Sequence, residues 1–218
     1  MIIVAGGTGT RMTSRVPKQF IELKGTPVLI HTMNRFYEYD PEIHIIIPIY
    51  KDYIKDWEKI VKKTKLDIPH QLIPGGETRF HSVYNGLREV TGESLIAVHD
   101  AVRPLVDIET ITRCFDVAQK KGVAIPCLPV AESVRLIKGE ISEAQDREDL
   151  RLIQTPQVFQ SEILKKSYQQ EYREEFTDDA TVVERAGFQV YLVEGNRKNI
   201  KITTDEDLAL AEFYLENK

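Results

Sequence analysis

Ile2-Ile3-Val4-Ala5-Gly6-Gly7-Thr8-Gly9-Thr10-Arg11-Met12-Thr13-Ser14-Arg15-Val16-Pro17-Lys18 opens the 218-residue chain and decides how the rest is read. Ile2, Ile3 and Val4 are a short apolar run rich in β-branched residues, the pattern of a buried strand. Gly6, Gly7 and Gly9 follow at once; glycine lets a backbone turn through positive φ and bring bare N–H groups close to a ligand. Arg11, Arg15 and Lys18 come next, and no acidic residue occurs in the first 18 positions although the whole chain has a net charge of −5. A strand running into a glycine loop lined with fixed positive charge suits a polyphosphate.

Neither standard phosphate motif fits. A Walker loop ends in Gly-Lys-Ser/Thr, and no such triplet follows these glycines. A dinucleotide fingerprint starting at Gly7 needs glycine where Met12 stands. A tight turn with surface arginines is the other reading these residues leave open.

Ala5-Gly6-Gly7-Thr8-Gly9-Thr10-Arg11-Met12 followed by Pro17-Lys18-Gln19-Phe20 resembles the signature of the sugar-phosphate nucleotidyltransferases, and within them the cytidylyltransferases that act on methylerythritol phosphate. The resemblance runs from Ile2 to Glu216. It implies an α/β, Rossmann-like nucleotidyltransferase (glycosyltransferase-A-like) three-layer fold, with a mostly parallel mixed sheet and a protruding β-arm. It also implies one domain over 1–218, with a dimerisation arm at about 130–150.

Composition agrees with a soluble globular chain: 42% hydrophobic and 29% charged residues, with no apolar run near the roughly 20 residues of a membrane span. No basic leader precedes the first strand, so no signal peptide is expected. Cys114 and Cys127 fall in a predicted helix and a predicted strand, where buried thiols suit a reducing cytoplasm. The acidic balance argues against a nucleic-acid partner, and the five histidines lack metal-ligand spacing.

Along the chain, Thr26-Pro27 predicts a helix start running to about Tyr37, and Ile43–Ile47 the next strand. Ile54, Trp57, Ile60 and Val61 share one face of a helix over 51–65, and His70–Ile73 is a third strand. Strands alternating with helices give a largely parallel sheet, whose ligands collect at the strands' carboxyl ends. Gly75-Gly76-Glu77-Thr78-Arg79 and Ser82 lie past one such end. Read alone this is a plain turn and a helix residue. The resemblance makes it the base-binding loop, with Gly76, Glu77 and Ser82 on the nucleotide. His99-Asp100-Ala101-Val102-Arg103-Pro104 follows the strand 94–98, and an Asp–Arg pair closing a turn would explain it structurally. The resemblance instead sets Asp100 near ribose and phosphates and Arg103 near the second substrate.

Two short apolar strands flank Lys138-Gly139, a hairpin too small to be stable by itself and so expected to rest on a second subunit. The resemblance makes it an arm that clasps the partner chain and delivers Ser133 and Arg147 to its site. By itself, Arg147 in Asp146-Arg147-Glu148-Asp149 is a solvated charge. Thr177-Asp178-Asp179-Ala180 caps a helix ending near Gly187, Phe188–Val193 is a strand, and Thr204 to Asp207 is a capping box. Lys201 alternates with Ile200 and Ile202, so a surface position on a strand is the default. The resemblance points Thr177 and Lys201 at the acceptor.

What the resemblance implies is cytidylyl transfer from CTP to methylerythritol 4-phosphate in non-mevalonate isoprenoid synthesis. Arg11, Lys18, Arg147 and Lys201 are the expected catalytic cations, Ala5, Gly6, Gly7 and Gly9 the phosphate loop, Mg²⁺ the cofactor and a homodimer the assembly. Ribitol 5-phosphate is the alternative acceptor, and a non-catalytic nucleotide-binding module the alternative of another class. The metal ligands stay unassigned.

Overall fold

The structure, a computed structural model, describes residues 1–6 and 16–217. The strands are β1 (Ile2–Val4), β2 (Glu22–Leu23), β3 (Thr26–Pro27), β4 (Ile45–Ile49), β5 (His70–Pro74), β6 (Leu95–Asp100), β7 (Val123–Pro129), β8 (Val134–Lys138), β9 (Ile141–Gln145), β10 (Arg151–Ile153), β11 (Gln157–Gln160) and β12 (Leu192–Glu194). The helices are α1 (Val28–Tyr39), α2 (Ile54–Thr64), α3 (Arg79–Arg88), α4 (Ile108–Lys121), α5 (Ser161–Ser167), α6 (Asp179–Arg185) and α7 (Asp205–Glu216).

Eight strands form the main sheet in the order β10-β7-β11-β6-β1-β4-β5, with β12 on β7. Pairings of β1 with β4 and β6, of β4 with β5, and of β12 with β7 are parallel, whereas β10 and β11 run antiparallel to β7. The sheet is therefore mixed and mostly parallel. The registers Ile153↔Cys127 and Val158↔Ala124 lay β10 and β11 end to end along β7, with a kink at Gln154-Thr155-Pro156 between them.

Side-chain alternation in the strands sorts the core into two layers. Ile3, Ile45, Ile47, Ile49 and Ala97 join Phe36, Met33 and Trp57 from α1 and α2 on one face. Ile2, Ile96, Val98 and Phe159 join Phe80, Val83 and Leu87 from α3 on the other. Phe36 is fully buried, so its truncation to alanine would cost about 3–5 kcal/mol. Cys114 and Cys127 are free and buried, as expected, and burial pushes the Cys114 thiol up to about 12.

Several element boundaries differ from the sequence reading. Thr26-Pro27 belongs to a small hairpin with Glu22–Leu23, and the helix begins one residue later, at Val28. β4 runs through Pro48 to Ile49, past the Ile47 end read from the sequence. The Pro48 carbonyl still accepts the Ala5 N–H at 3.1 Å, and only its missing donor is lost. Lys201 is in no strand: Ile202 next to it anchors the segment, fully buried and with its N–H on the Val102 carbonyl at 2.9 Å.

Candidate active site

The carboxyl ends of β1 and β6 lie side by side, because Val4 pairs with Asp100. Asp100 is the last residue of β6 and almost fully buried, and a buried carboxylate is costly without partners. It has three. Lys201 Nζ lies 3.0 Å from Oδ2, Arg103 Nε 3.2 Å from Oδ2, and Arg79 Nε 3.7 Å from Oδ1. Burial alone would raise the Asp100 pKa; Arg79, then Lys201, then Arg103 outweigh it and hold the carboxyl well below the usual range.

Two cavities meet at this cluster. One, of about 240 Å³, is lined by Arg79, Asp100, Arg103, Gln157, Thr177 and Lys201 among others. The second, of about 220 Å³, shares Arg79, Asp100 and Lys201 and adds Val4, Ala5, Lys18 and Gln19. Together they make one cationic trough across the strand ends. Trough and Asp100 cluster thus bring together Ala5, Lys18, Asp100, Arg103, Thr177 and Lys201 of the sequence-predicted residues. Gly7, Gly9 and Arg11 lie outside the described residues.

Lys18 is held by its neighbours. It starts a single 3₁₀ turn, Lys18–Phe20, in which the buried Gln19 amide donates to the Ala5 carbonyl at 2.8 Å. Phe20 stacks on Trp57 with ring centroids 5.8 Å apart. Both anchors point inward, which leaves Lys18 at the trough.

The loop before α3 is built around Ser82. Its hydroxyl accepts the Gly76 N–H at 3.1 Å and donates to the Thr78 carbonyl at 3.0 Å, and a Cβ on Gly6 would meet it at 3.2 Å. Ser82 therefore shapes the loop from inside, buried, while Glu77 stands exposed. A Cβ on Gly76 would fall 2.2 Å from the His81 Cβ and 2.7 Å from its carbonyl carbon. Gly76→Ala is thus expected to push the loop off α3, cost about 1–3 kcal/mol and raise the KM for nucleotide about tenfold or more. Melting curves and nucleotide titrations of the variant check this.

His99, fully buried beneath the cluster, sets the end of β6 through one chain of bonds. The Asp100 N–H donates to the Thr155 hydroxyl at 3.1 Å, that hydroxyl to His99 Nδ1 at 3.0 Å, and His99 Nε2–H to the Arg103 carbonyl at 3.1 Å. The chain fixes the neutral Nε2–H tautomer. Desolvation by burial lowers the His99 pKa from 6.5 to about 4. Between those values the unfolded chain binds a proton that the folded one refuses, so stability falls with acidification. The expected loss between pH 7 and pH 5 is roughly 2 kcal/mol, read from urea midpoints, with a flatter profile in His99→Gln.

Ser133 and Arg147 do not line the trough. They share a groove on the β8–β9 ribbon, where Arg147 Nη1 donates to the Ala131 carbonyl at 2.7 Å. That ribbon pairs only with itself among the described residues, and Leu136, Ile137 and Ile141 are 48%, 69% and 72% exposed.

Arg79, at the end of the Gly75–Arg79 stretch, is a site residue to which the sequence alone assigned no role. Its signal was available: a cation at the first position of a helix faces the positive end of the helix dipole and needs a reason to be there. Its partner Asp179, fully buried and 2.7 Å from Arg79 Nη2, left no such local mark.

The sequence matches the family described as 2-C-methyl-D-erythritol 4-phosphate cytidylyltransferase over residues 1–217. It is 49% identical to the protein of that name from Phocaeicola vulgatus, over 99% of this chain and 98% of the relative, and 47% identical to that from Bacteroides fragilis, over 98% of each. Among solved structures it resembles 4-diphosphocytidyl-2C-methyl-D-erythritol synthase from Anaerococcus prevotii, with a TM-score of 0.84 and 29% identity over 99% of this chain and 96% of that one.

Proposed function

The chain belongs to the 2-C-methyl-D-erythritol 4-phosphate cytidylyltransferase family, and from that premise we propose how its own residues carry the reaction. The activity is transfer of a cytidylyl group from CTP to 2-C-methyl-D-erythritol 4-phosphate in isoprenoid synthesis, releasing pyrophosphate. The observation that carries the mechanism is the buried carboxylate of Asp100, ringed by three cations where the two cavities meet.

The acceptor phosphate attacks the α-phosphorus of CTP; the new P–O bond forms as the bond to pyrophosphate breaks. Two anions must approach while charge builds on the equatorial oxygens, so positioning and fixed positive charge do the work and no covalent nucleophile is required. Lys18 and Arg11 are assigned to the α-phosphate and departing pyrophosphate. Lys201, with Arg147 of a second subunit, is assigned to the incoming phosphate. Asp100 pre-positions Lys201 and Arg103 without cancelling them, since Lys18, Arg79, Arg103 and Lys201 outnumber Asp100, Asp178 and Asp179.

Mg²⁺ is normally held by one or two carboxylates together with substrate phosphates. Asp100, one of the two carboxylates lining the trough with Asp178, would share it, and when bound the ion would supply further charge neutralisation. The free β8–β9 ribbon, with its exposed Leu136, Ile137 and Ile141, supports a homodimer in which the arm reaches a partner's site. Among the described residues no helix is long and apolar enough to cross a membrane. The two free, buried thiols suit the cytoplasm.

Pyrophosphate release, with each nucleoside triphosphate crossed against methylerythritol 4-phosphate and ribitol 5-phosphate, tests this reading. Turnover confined to CTP with methylerythritol 4-phosphate supports it. Preference for ribitol 5-phosphate, or CTP binding with no turnover, overturns it.

A further inference from the structure

We infer that the Arg79–Asp179 ion pair, backed by the Tyr168 hydroxyl, couples the nucleotide side of the trough to the acceptor side, so that each substrate tightens binding of the other. The inference rests on the cytidylyl-transfer reading above. Arg79 and Asp179 are 100 residues apart in sequence, and each is the first residue of its helix, α3 and α6. The loop before α3, Gly75 to Thr78, is the one assigned to the cytosine base. The segment before α6, Thr177-Asp178, is the one facing the acceptor cavity.

Three contacts tie them. Arg79 Nη2 donates to Asp179 Oδ2 at 2.7 Å, Tyr168 donates to Asp179 Oδ1 at 2.6 Å, and Arg79 Nε reaches toward Asp100 at 3.7 Å. Asp179 has no exposed surface and Tyr168 only 2%. Burial alone would lower the Arg79 pKa; Asp179 and then Asp100 outweigh it and raise the value. The start of α6 also bonds to β11, through the buried Gln157 side chain, which donates to Asp178 Oδ2 at 2.7 Å and accepts the Ala180 N–H at 2.9 Å. The guanidinium is therefore clamped between the two helix starts.

Asp179 and Tyr168 line neither trough cavity, so they act through Arg79 as positioning residues. A base that orders the Gly75–Thr78 loop also fixes Arg79, and through it the Thr177 segment. The acceptor then meets a segment already ordered, and thermodynamic linkage makes the effect reciprocal.

Calorimetry with α,β-methylene-CTP, which cannot transfer its cytidylyl group, measures the coupling. The ratio of its Kd without and with methylerythritol 4-phosphate should be roughly tenfold in the wild-type protein and fall to within about twofold of unity in Asp179→Asn. A merely structural role for Asp179 would weaken both ligands yet keep the ratio. A wild-type ratio of one, or an unchanged ratio in Asp179→Asn, overturns the inference. Should that variant fail to fold, Tyr168→Phe replaces it, with an expected ratio between the two; a wild-type ratio there is equally fatal. Absence of cytidylyl transfer by the wild-type enzyme would instead remove the underlying reading.

Discussion

Lys18→Ala is expected to lower turnover on the order of a hundredfold or more while leaving the melting temperature nearly unchanged. The two halves of that expectation have separate origins. Gln19 and Phe20, bonded to Ala5 and stacked on Trp57, hold the turn in place, and the substitution touches neither. Lys18 lines a cavity with Asp100 and Lys201, where charge accumulates in the transition state. A preorganised donor lost from such a place costs about 3–4 kcal/mol of transition-state stabilisation. Pyrophosphate release from CTP and methylerythritol 4-phosphate measures it, and near-wild-type rates would remove Lys18 from the mechanism.

Asp100→Asn should damage the fold as well as the chemistry. The substitution leaves Arg103 and Lys201 without the carboxylate 3.2 and 3.0 Å away, and Arg79 with Asp179 alone. Removing one member of a buried ion cluster typically costs about 3–5 kcal/mol, because the charges left behind are uncompensated. Lys201 is 43% exposed and can swing into water, so adding Lys201→Ala should recover only part of the loss. Urea unfolding of the single and double variants reads both quantities. A single variant as stable as the wild type would show that Asp100 is not the centre of this cluster.

Much of this was visible before the structure. β1 was legible because three β-branched residues precede glycines, and β6 because an apolar run stops at a histidine and an aspartate. The capping box at Thr204 was equally plain: its hydroxyl accepts the Asp207 N–H, and the Asp207 carboxylate accepts that of Thr204. These are local rules, and local sequence states them.

What was misread or missed depends on distant partners. Ile200-Lys201-Ile202 alternates like a strand, but no strand among the described residues pairs with it, and the backbone instead bonds to Val102 and within its own turn. The Arg79–Asp179 pair joins residues 100 positions apart, and neither flank announces the other. Ser82 was assigned to the base by resemblance, and its hydroxyl, which accepts from Gly76 and donates to Thr78, also shapes the loop while keeping one acceptor lone pair, a part that spacing does not announce. Where a side chain's role is set by tertiary contact, residue type and spacing cannot fix it.

A crystal structure of the enzyme with CTP and methylerythritol 4-phosphate analogues bound together tests the central claim most directly. The account predicts the α-phosphate within hydrogen-bond reach of Lys18 and the acceptor phosphate within reach of Lys201, on either side of Asp100. Phosphates bound elsewhere, with Lys18 and Lys201 both turned away from them, would contradict it.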